Sequence, residues 1–108
     1  MRKGNTIKVI IKHPGFIPYI NWIPNELSAL QDIVGGYIEV VKLFSDVIVV
    51  CNEEGKLKGM DYNCTIWGED FVGDIFFCGV DGEDFVDIPF DMKTMKKILP
   101  MLFQEVAV

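Results

Sequence analysis

The sequence predicts an α+β domain with a mainly antiparallel or mixed sheet of four to six strands and two helices. Three observations predict this class. Short runs of β-branched and aromatic residues alternate with turn residues along most of the chain. Two other stretches carry apolar residues at helical spacing. Gly35-Gly36 joins the first of these stretches to the next strand-like run, because glycine can end a helix in the left-handed conformation. The 108 residues are expected to form a single domain, 1–108.

Two strands are predicted before the first helix. The first covers Thr6 to Lys12, a β-branched run that stops at the turn His13-Pro14-Gly15. The second lies between Phe16 and Ile23, where prolines at 18 and 24 bound the apolar residues. Because proline donates no hydrogen bond to a ladder, this segment is predicted to be an edge strand.

The first helix is predicted over 25–34. Asn25 precedes the first apolar residue of the helical pattern, which is a good N-cap position. Leu27, Leu30 and Val34 repeat at helical spacing and are expected to pack on the sheet. Gly35 is expected to close the helix with a positive φ.

Further strands and a second helix are predicted after the glycine pair. Tyr37 to Phe44 and Val47 to Cys51 are strand-like, and the short link between them indicates a hairpin. The pattern over Leu57 to Trp67 predicts no element. The remaining predicted elements are a buried strand from Gly73 to Gly79, a short strand from Phe85 to Ile88, and a helix over 91–99 that Asp91 caps and Pro100 ends.

The predicted strands carry apolar residues on both faces, and two short helices are expected to cover about one face. An uncovered apolar face of this size exceeds what monomers usually expose. The sheet is therefore expected either to curl into a partial barrel or to be covered by a second copy in a homodimer. We favour the homodimer because Met92, Met95 and Phe103 offer further adaptable contact surface near the C-terminus.

The net charge of −6 is unevenly distributed along the chain. Between Gly59 and Met92 there are nine acidic residues and no basic residue. This balance argues against direct nucleic-acid binding, which requires basic side chains. It indicates either a solvated face that keeps a small apolar protein soluble, or a surface that meets a basic protein partner.

Hydropathy and cysteine content bear on the compartment. No apolar run reaches the roughly 20 residues that span a bilayer, so no membrane association is expected. Three cysteines (Cys51, Cys64 and Cys78) form no close pair in the sequence. Reduced thiols of this kind are typical of a cytoplasmic protein.

The sequence offers little catalytic chemistry. His13 is the only histidine, and its place in a Pro-Gly turn predicts a surface residue rather than part of a Ser/His or Cys/His dyad. The cysteines and this histidine do not match a zinc site, and the acidic run lacks the spacing of a calcium loop. No phosphate-binding or dinucleotide motif is present. We therefore predict no catalytic residue, no metal site and no cofactor.

Three motifs in this sequence occur together in a known family. They are Leu30-Gln-Asp-Ile-Val-Gly-Gly-Tyr-Ile-Glu39, then Asn52-Glu-Glu-Gly-Lys56 followed by Gly59 and Asn63, then Val72-Gly73-Asp74 before an apolar strand. With these motifs the chain resembles domain-of-unknown-function family 3846. Met60-Asp61-Tyr62 departs from the Leu-Pro-Pro or similar stretch common in that family. The resemblance implies an origin in a bacteriophage, plasmid or other mobile element and a cytoplasmic site of action, and it supplies no activity.

The polar positions that match the family are the candidate site residues. They are Tyr37, Glu39, Asn52, Glu53, Lys56, Asn63 and Asp74. One interpretation is structural, with asparagines in turns and charges that pair with neighbours. The other is that these side chains converge at one end of the hairpin into a binding surface, because loop ends of a rigid scaffold often carry sites.

Three functions from different classes are compatible with this sequence. The first is a non-enzymatic interaction module that acts on a host or element protein through its acidic second half, for example to antagonise host defence. The second is a nucleotide-like small-ligand binder in which Trp67, Tyr37 and the turns at Asn52 and Asn63 line a pocket. The third, and the least favoured, is a carboxylate-dependent enzyme.

Overall fold

The computed structural model describes residues 5–104. This part of the chain contains strands, two α-helices and a 3-10 helix. The strands are β1 (Thr6–Lys12), β2 (Tyr19–Pro24), β3 (Ile38–Phe44), β4 (Val47–Asn52), β5 (Tyr62–Ile66), β6 (Glu69–Val72), β7 (Ile75–Asp81) and β8 (Asp84–Val86). The helices are α1 (Leu27–Val34) and α2 (Met92–Ile98), and the 3-10 helix Pro100–Phe103 follows α2.

The strands form a six-stranded sheet and a separate two-stranded sheet. The larger sheet has the order β2-β1-β7-β4-β3, and β8 pairs with the far end of β7. The smaller sheet is the hairpin of β5 and β6. Every strand pairing described is antiparallel. The larger sheet is open and does not close into a barrel, so the α+β class is confirmed and a partial barrel is not formed.

Both faces of the six-stranded sheet are covered within the chain. On one face, α1 places Leu30 and Val34 against Ile48, Val50 and Phe76. On the other face, α2, the 3-10 helix and the β5–β6 hairpin contribute a second apolar cluster, which includes Ile66, Phe71, Met95, Leu99 and Leu102. The expectation that one sheet face would stay uncovered is therefore wrong. The two helices lie on opposite faces, and the hairpin adds cover that the sequence did not predict.

The C-terminal end of α1 forms as predicted, but its N-terminal end does not. Gly35 has a φ of +78°, and its N–H donates to the carbonyl of Gln31 at 2.8 Å. The N-cap is Glu26, whose side chain makes no capping hydrogen bond. Asn25 lies one residue before this cap, and its amide nitrogen donates to the Phe85 carbonyl at 3.1 Å. The prediction that Leu27 packs on the sheet is wrong, because its side chain is 59% exposed. The buried face of α1 begins one turn later, at Leu30.

The other end of the chain follows the prediction closely. The Asp91 carboxylate accepts a hydrogen bond from the backbone N–H of Thr94 at 2.7 Å, as an N-cap does. This hydrogen bond lowers the pKa of Asp91. Helix α2 ends before Pro100, which begins the 3-10 helix. None of the helices between residues 5 and 104 is long and apolar enough to cross a membrane.

The β5–β6 hairpin is the main element that the sequence did not predict. Its two-residue turn is Trp67-Gly68, and both residues have positive φ, +49° and +85°. A two-residue hairpin turn usually carries Asn-Gly, Asp-Gly or Gly-Gly, because these residues tolerate positive φ. Tryptophan in the left-handed region is uncommon, so the turn signal is absent from the sequence.

We expect Leu30→Ala to lower the free energy of unfolding by about 2–5 kcal/mol, because it leaves a cavity under α1. Leu27→Ala in the same helix is the matched control and should cost less than about 0.5 kcal/mol, since Leu27 is exposed. Urea denaturation followed by circular dichroism measures both. Equal losses in the two variants would contradict the placement of α1.

Candidate functional site

Four of the predicted site residues line one cleft. It lies between the β3–β4 hairpin, the turn after β4, and β6, and its volume is about 200 Å³. We call it the acidic cleft. Its lining residues are Glu39, Cys51, Asn52, Glu53, Lys56, Leu57, Glu69, Asp70, Phe71 and Val72. The predicted residues among them are Glu39, Asn52, Glu53 and Lys56, so convergence of the predicted set is partial.

The charges of the acidic cleft are unbalanced. Glu39, Glu53, Glu69 and Asp70 stand against Lys56, a formal balance of four negative charges to one positive, or −3. The Lys56 Nζ lies 3.6 Å from a Glu69 carboxylate oxygen, and both side chains are more than half exposed. An exposed ion pair of this kind contributes little to stability. The carboxylates are therefore accessible to a cationic group of a partner.

The Cys51 thiol lines the cleft and has a raised pKa. Burial is the largest cause, the carboxylates of Glu39 and Glu69 add to it and Lys56 opposes it, and together they bring the pKa to about 11. The thiol therefore stays protonated at neutral pH, and a protonated thiol reacts poorly. Within residues 5–104, no group of three His, Cys, Asp or Glu side chains is placed to hold a metal ion.

An apolar side chain stands beside these carboxylates. Leu57 lines the cleft and is 89% exposed. Asp70, which also lines the cleft, is oriented by a hydrogen bond of 2.6 Å from the Thr65 hydroxyl, which is itself 2.6 Å from the Tyr62 hydroxyl. The cleft thus combines negative charge with an apolar contact, an arrangement suited to a chain segment that carries both cationic and apolar side chains.

Asn52 is a buried residue that holds the backbone around the acidic cleft in place. It is 7% exposed, its amide nitrogen donates to the Val34 carbonyl at 3.1 Å, and its Oδ1 accepts from the Glu54 N–H at 2.8 Å. A Cβ on Gly36 would lie 2.8 Å from the same amide nitrogen, so only glycine fits there without a shift. These contacts fix the end of α1 to the turn that carries Glu53 and Lys56.

Asn63 has a comparable role outside the cleft. Its amide nitrogen donates to the carbonyls of Lys12 at 2.9 Å and Gly73 at 2.7 Å. It therefore joins β5 to the end of β1 and to the segment before β7. Its Oδ1 is buried and has no hydrogen-bond partner among residues 5–104. Lys12 is also buried, which lowers the pKa of its ammonium group.

The carbonyls held by Asn63 precede a second polar cluster. The His13 Nδ1 lies 2.8 Å from the Asp74 carboxylate, and its Nε2 lies 2.8 Å from the Tyr19 hydroxyl. His13 lies at the start of the β1–β2 turn and is partly exposed, as predicted, and both of its ring nitrogens are hydrogen-bonded. No pattern in the sequence indicates this cluster, since Asp74 is 61 residues from His13 and reaches it only through the pairing of β1 with β7.

The two predicted aromatic residues lie outside the acidic cleft. Trp67 is 58% exposed at the β5–β6 turn, and its ring packs edge-on against Phe44 with centroids 5.2 Å apart. Tyr37 is exposed, and its carbonyl accepts from the Glu53 N–H at 2.9 Å. Asp74 is also elsewhere, beside His13. Trp67 and Tyr37 are therefore not among the side chains that line the acidic cleft.

We expect Asn63→Ala to lower the free energy of unfolding by about 1–3 kcal/mol, because two carbonyls lose their donor in a buried place. Asn25→Ala is the matched control, since that side chain donates to a single, partly buried carbonyl. Its loss should be the smaller of the two in urea denaturation. A loss for Asn63→Ala no larger than the control would show that the bridge does not stabilise the fold.

Comparison with known families gives one match. The model of DUF3846, described as a domain of unknown function, matches residues 7–100. The match extends from β1 to the start of the 3-10 helix and includes all the predicted site residues. The chain has no match among curated proteins and none among solved structures.

Proposed function

The chain belongs to the DUF3846 family, and we propose that it is a non-enzymatic interaction module that binds a basic segment of a protein partner in the acidic cleft. The partner is a protein of a bacterial host or of the bacteriophage or mobile element that encodes the chain. One observation carries the proposal. Four carboxylates and one lysine surround the cleft, with an almost fully exposed leucine beside them.

Charge supports a basic partner over an acidic one. The cleft has a formal balance of −3 within a chain of net charge −6, so the local and the overall fields attract a cationic segment. Complementary charge speeds encounter and rejects partners of like charge more than it adds affinity. The same balance disfavours nucleic acid, whose phosphates would be repelled.

The exposed leucine supports a partner with apolar side chains as well. Interfaces gain most of their affinity from apolar anchors that become buried, while charged residues at the rim add specificity. Leu57 is the most exposed apolar side chain that lines this cleft. A segment that alternates basic and apolar residues matches both features.

A cytoplasmic site of action is part of this proposal. Cys51, Cys64 and Cys78 are all free and buried. Proteins that work in oxidising compartments more often carry their cysteines as disulfides, so free thiols support a reducing compartment.

A charge-matched pair of variants tests the cleft. We expect Glu39→Gln combined with Glu53→Gln to weaken binding of a fluorescent peptide of alternating lysine and leucine by about tenfold, which is about 1.4 kcal/mol. Glu83→Gln in the β7–β8 turn, combined with Asp84→Asn at the start of β8, removes the same charge and should change binding less than about twofold. Fluorescence anisotropy measures both. Equal effects would mean that net charge alone attracts the peptide.

The same variants identify the natural partner. Affinity capture from host cell extract with the unmodified chain, followed by mass measurement, should retain proteins that the Glu83/Asp84 variant also retains. The Glu39/Glu53 variant should lose them. A partner retained by all three proteins would bind elsewhere, and the assignment of the cleft would be wrong.

A further inference from the structure

We propose that two copies of this chain associate through β2, in an antiparallel pairing around a two-fold axis at Asn21. Within the described residues, β2 is the last strand of its sheet and pairs with β1 alone. A sheet edge of this kind presents peptide groups to which a further strand can bond. The acidic cleft lies on β4, β6 and the opposite edge strand β3, so this surface and the proposed partner site do not overlap.

The segment around β2 is uncharged and apolar. Residues 14–24 are eleven consecutive positions without an acidic or basic side chain, in a chain of net charge −6. Large apolar side chains in this segment are exposed, among them Phe16 at 70% and Trp22 at 50%. Two copies of an acidic protein repel each other over most of their surfaces. They can meet here without bringing like charges together.

The hydrogen bonds already present show which peptide groups face outward. The Asn25 N–H donates to the Asn5 carbonyl at 2.8 Å. The backbone N–H and C=O groups of the odd-numbered residues in this segment therefore face β1. The Trp22 N–H accordingly points outward, and the Asn21 side chain accepts from it at 2.9 Å. Because hydrogen-bonding direction alternates along an antiparallel strand, the backbone N–H and C=O of Ile20 also point outward, away from β1. Prolines at 18 and 24 occupy the next outward positions and have no N–H to donate.

This arrangement is symmetric about Asn21. Pro18 and Pro24 lie three residues to either side of it, and Ile20 and Trp22 lie one residue to either side. In an antiparallel pair, Ile20 of one copy therefore faces Trp22 of the second, and the two pairs exchange four backbone hydrogen bonds. The Asn21 side chain releases the Trp22 N–H, which then donates to the second copy. The order of outward N–H groups and prolines is therefore the same in both directions from Asn21. A second copy of β2 in the antiparallel direction matches this order.

The side chains agree with this register. Ile20 and Trp22 lie on the same face of the sheet, since they are two residues apart in a strand. Each Trp22 ring would pack on Ile20 of the second copy, an aromatic and β-branched cross-strand pair of the kind that stabilises sheets.

Light scattering on the unmodified chain across a dilution series is the first test. We expect the mass to rise from 12.3 kDa toward twice that value at high micromolar concentration. Trp22→Lys should keep the chain monomeric at the same concentration, because it brings two lysines into the interface. Trp67→Lys, at the other exposed tryptophan, should dimerise like the unmodified chain. A mass that stays near 12.3 kDa in the unmodified chain would overturn the proposal.

Disulfide capture tests the position of the axis. A residue on the two-fold axis faces its own copy as a non-hydrogen-bonded pair, with Cα atoms about 4.5 Å apart, which is within disulfide reach. Asn21→Cys should therefore give a covalent dimer on mild oxidation, while Leu57→Cys, exposed in the acidic cleft, should not. The native thiols do not compete, since burial raises the pKa of Cys51 and Cys64 to about 11 and of Cys78 to about 12.

The combined results separate this proposal from the partner site. A dimer by light scattering without capture by Asn21→Cys would mean that another surface is used, and the β2 pairing would be wrong. Peptide binding in the acidic cleft should be unchanged in Trp22→Lys, so loss of the dimer and loss of the partner site give different readouts.

Discussion

Phe76 and Phe77 are adjacent in the central strand β7 and have no solvent exposure, although their side chains point to opposite faces of the sheet. Each ring therefore requires its own apolar layer. Phe76 belongs to the cluster under α1, and Phe77 belongs to the cluster under α2 and the β5–β6 hairpin. A strand buried on both faces sets the plan of the fold, since the chain must leave the sheet on both sides to cover it.

The periodic patterns of the sequence identify most elements. Thr6–Lys12 is a strand with the predicted bounds, Gly35 closes α1 and Asp91 caps α2. These predictions succeed because each rests on local backbone chemistry. The prediction that only two helices cover the sheet is wrong because it misses the β5–β6 hairpin. The turn of this hairpin has a tryptophan at positive φ, which local preference does not predict. The face to which each helix packs is a tertiary property, and spacing along the chain does not specify it.

The candidate site shows the same division between local and long-range information. The sequence identifies polar positions but not their roles. Asn52 and Asn63 are buried and hold backbone carbonyls, whereas Glu39, Glu53 and Lys56 are exposed at the cleft. Glu69 and Asp70, which complete the negative charge of the cleft, lie within the acidic stretch between Gly59 and Met92. Their placement depends on the hairpin that sequence analysis did not predict, so the complete cleft could not be foreseen.

The hydrogen-bond chain from Asp74 through His13 to Tyr19 has a consequence for the β1–β2 turn. Its members come from the segment before β7, the end of β1 and the start of β2. Because both ring nitrogens are engaged, the imidazole can rotate about its Cβ–Cγ bond only by breaking both hydrogen bonds. The ring therefore acts as a rigid spacer that holds the entry to β2 at a set distance from the entry to β7.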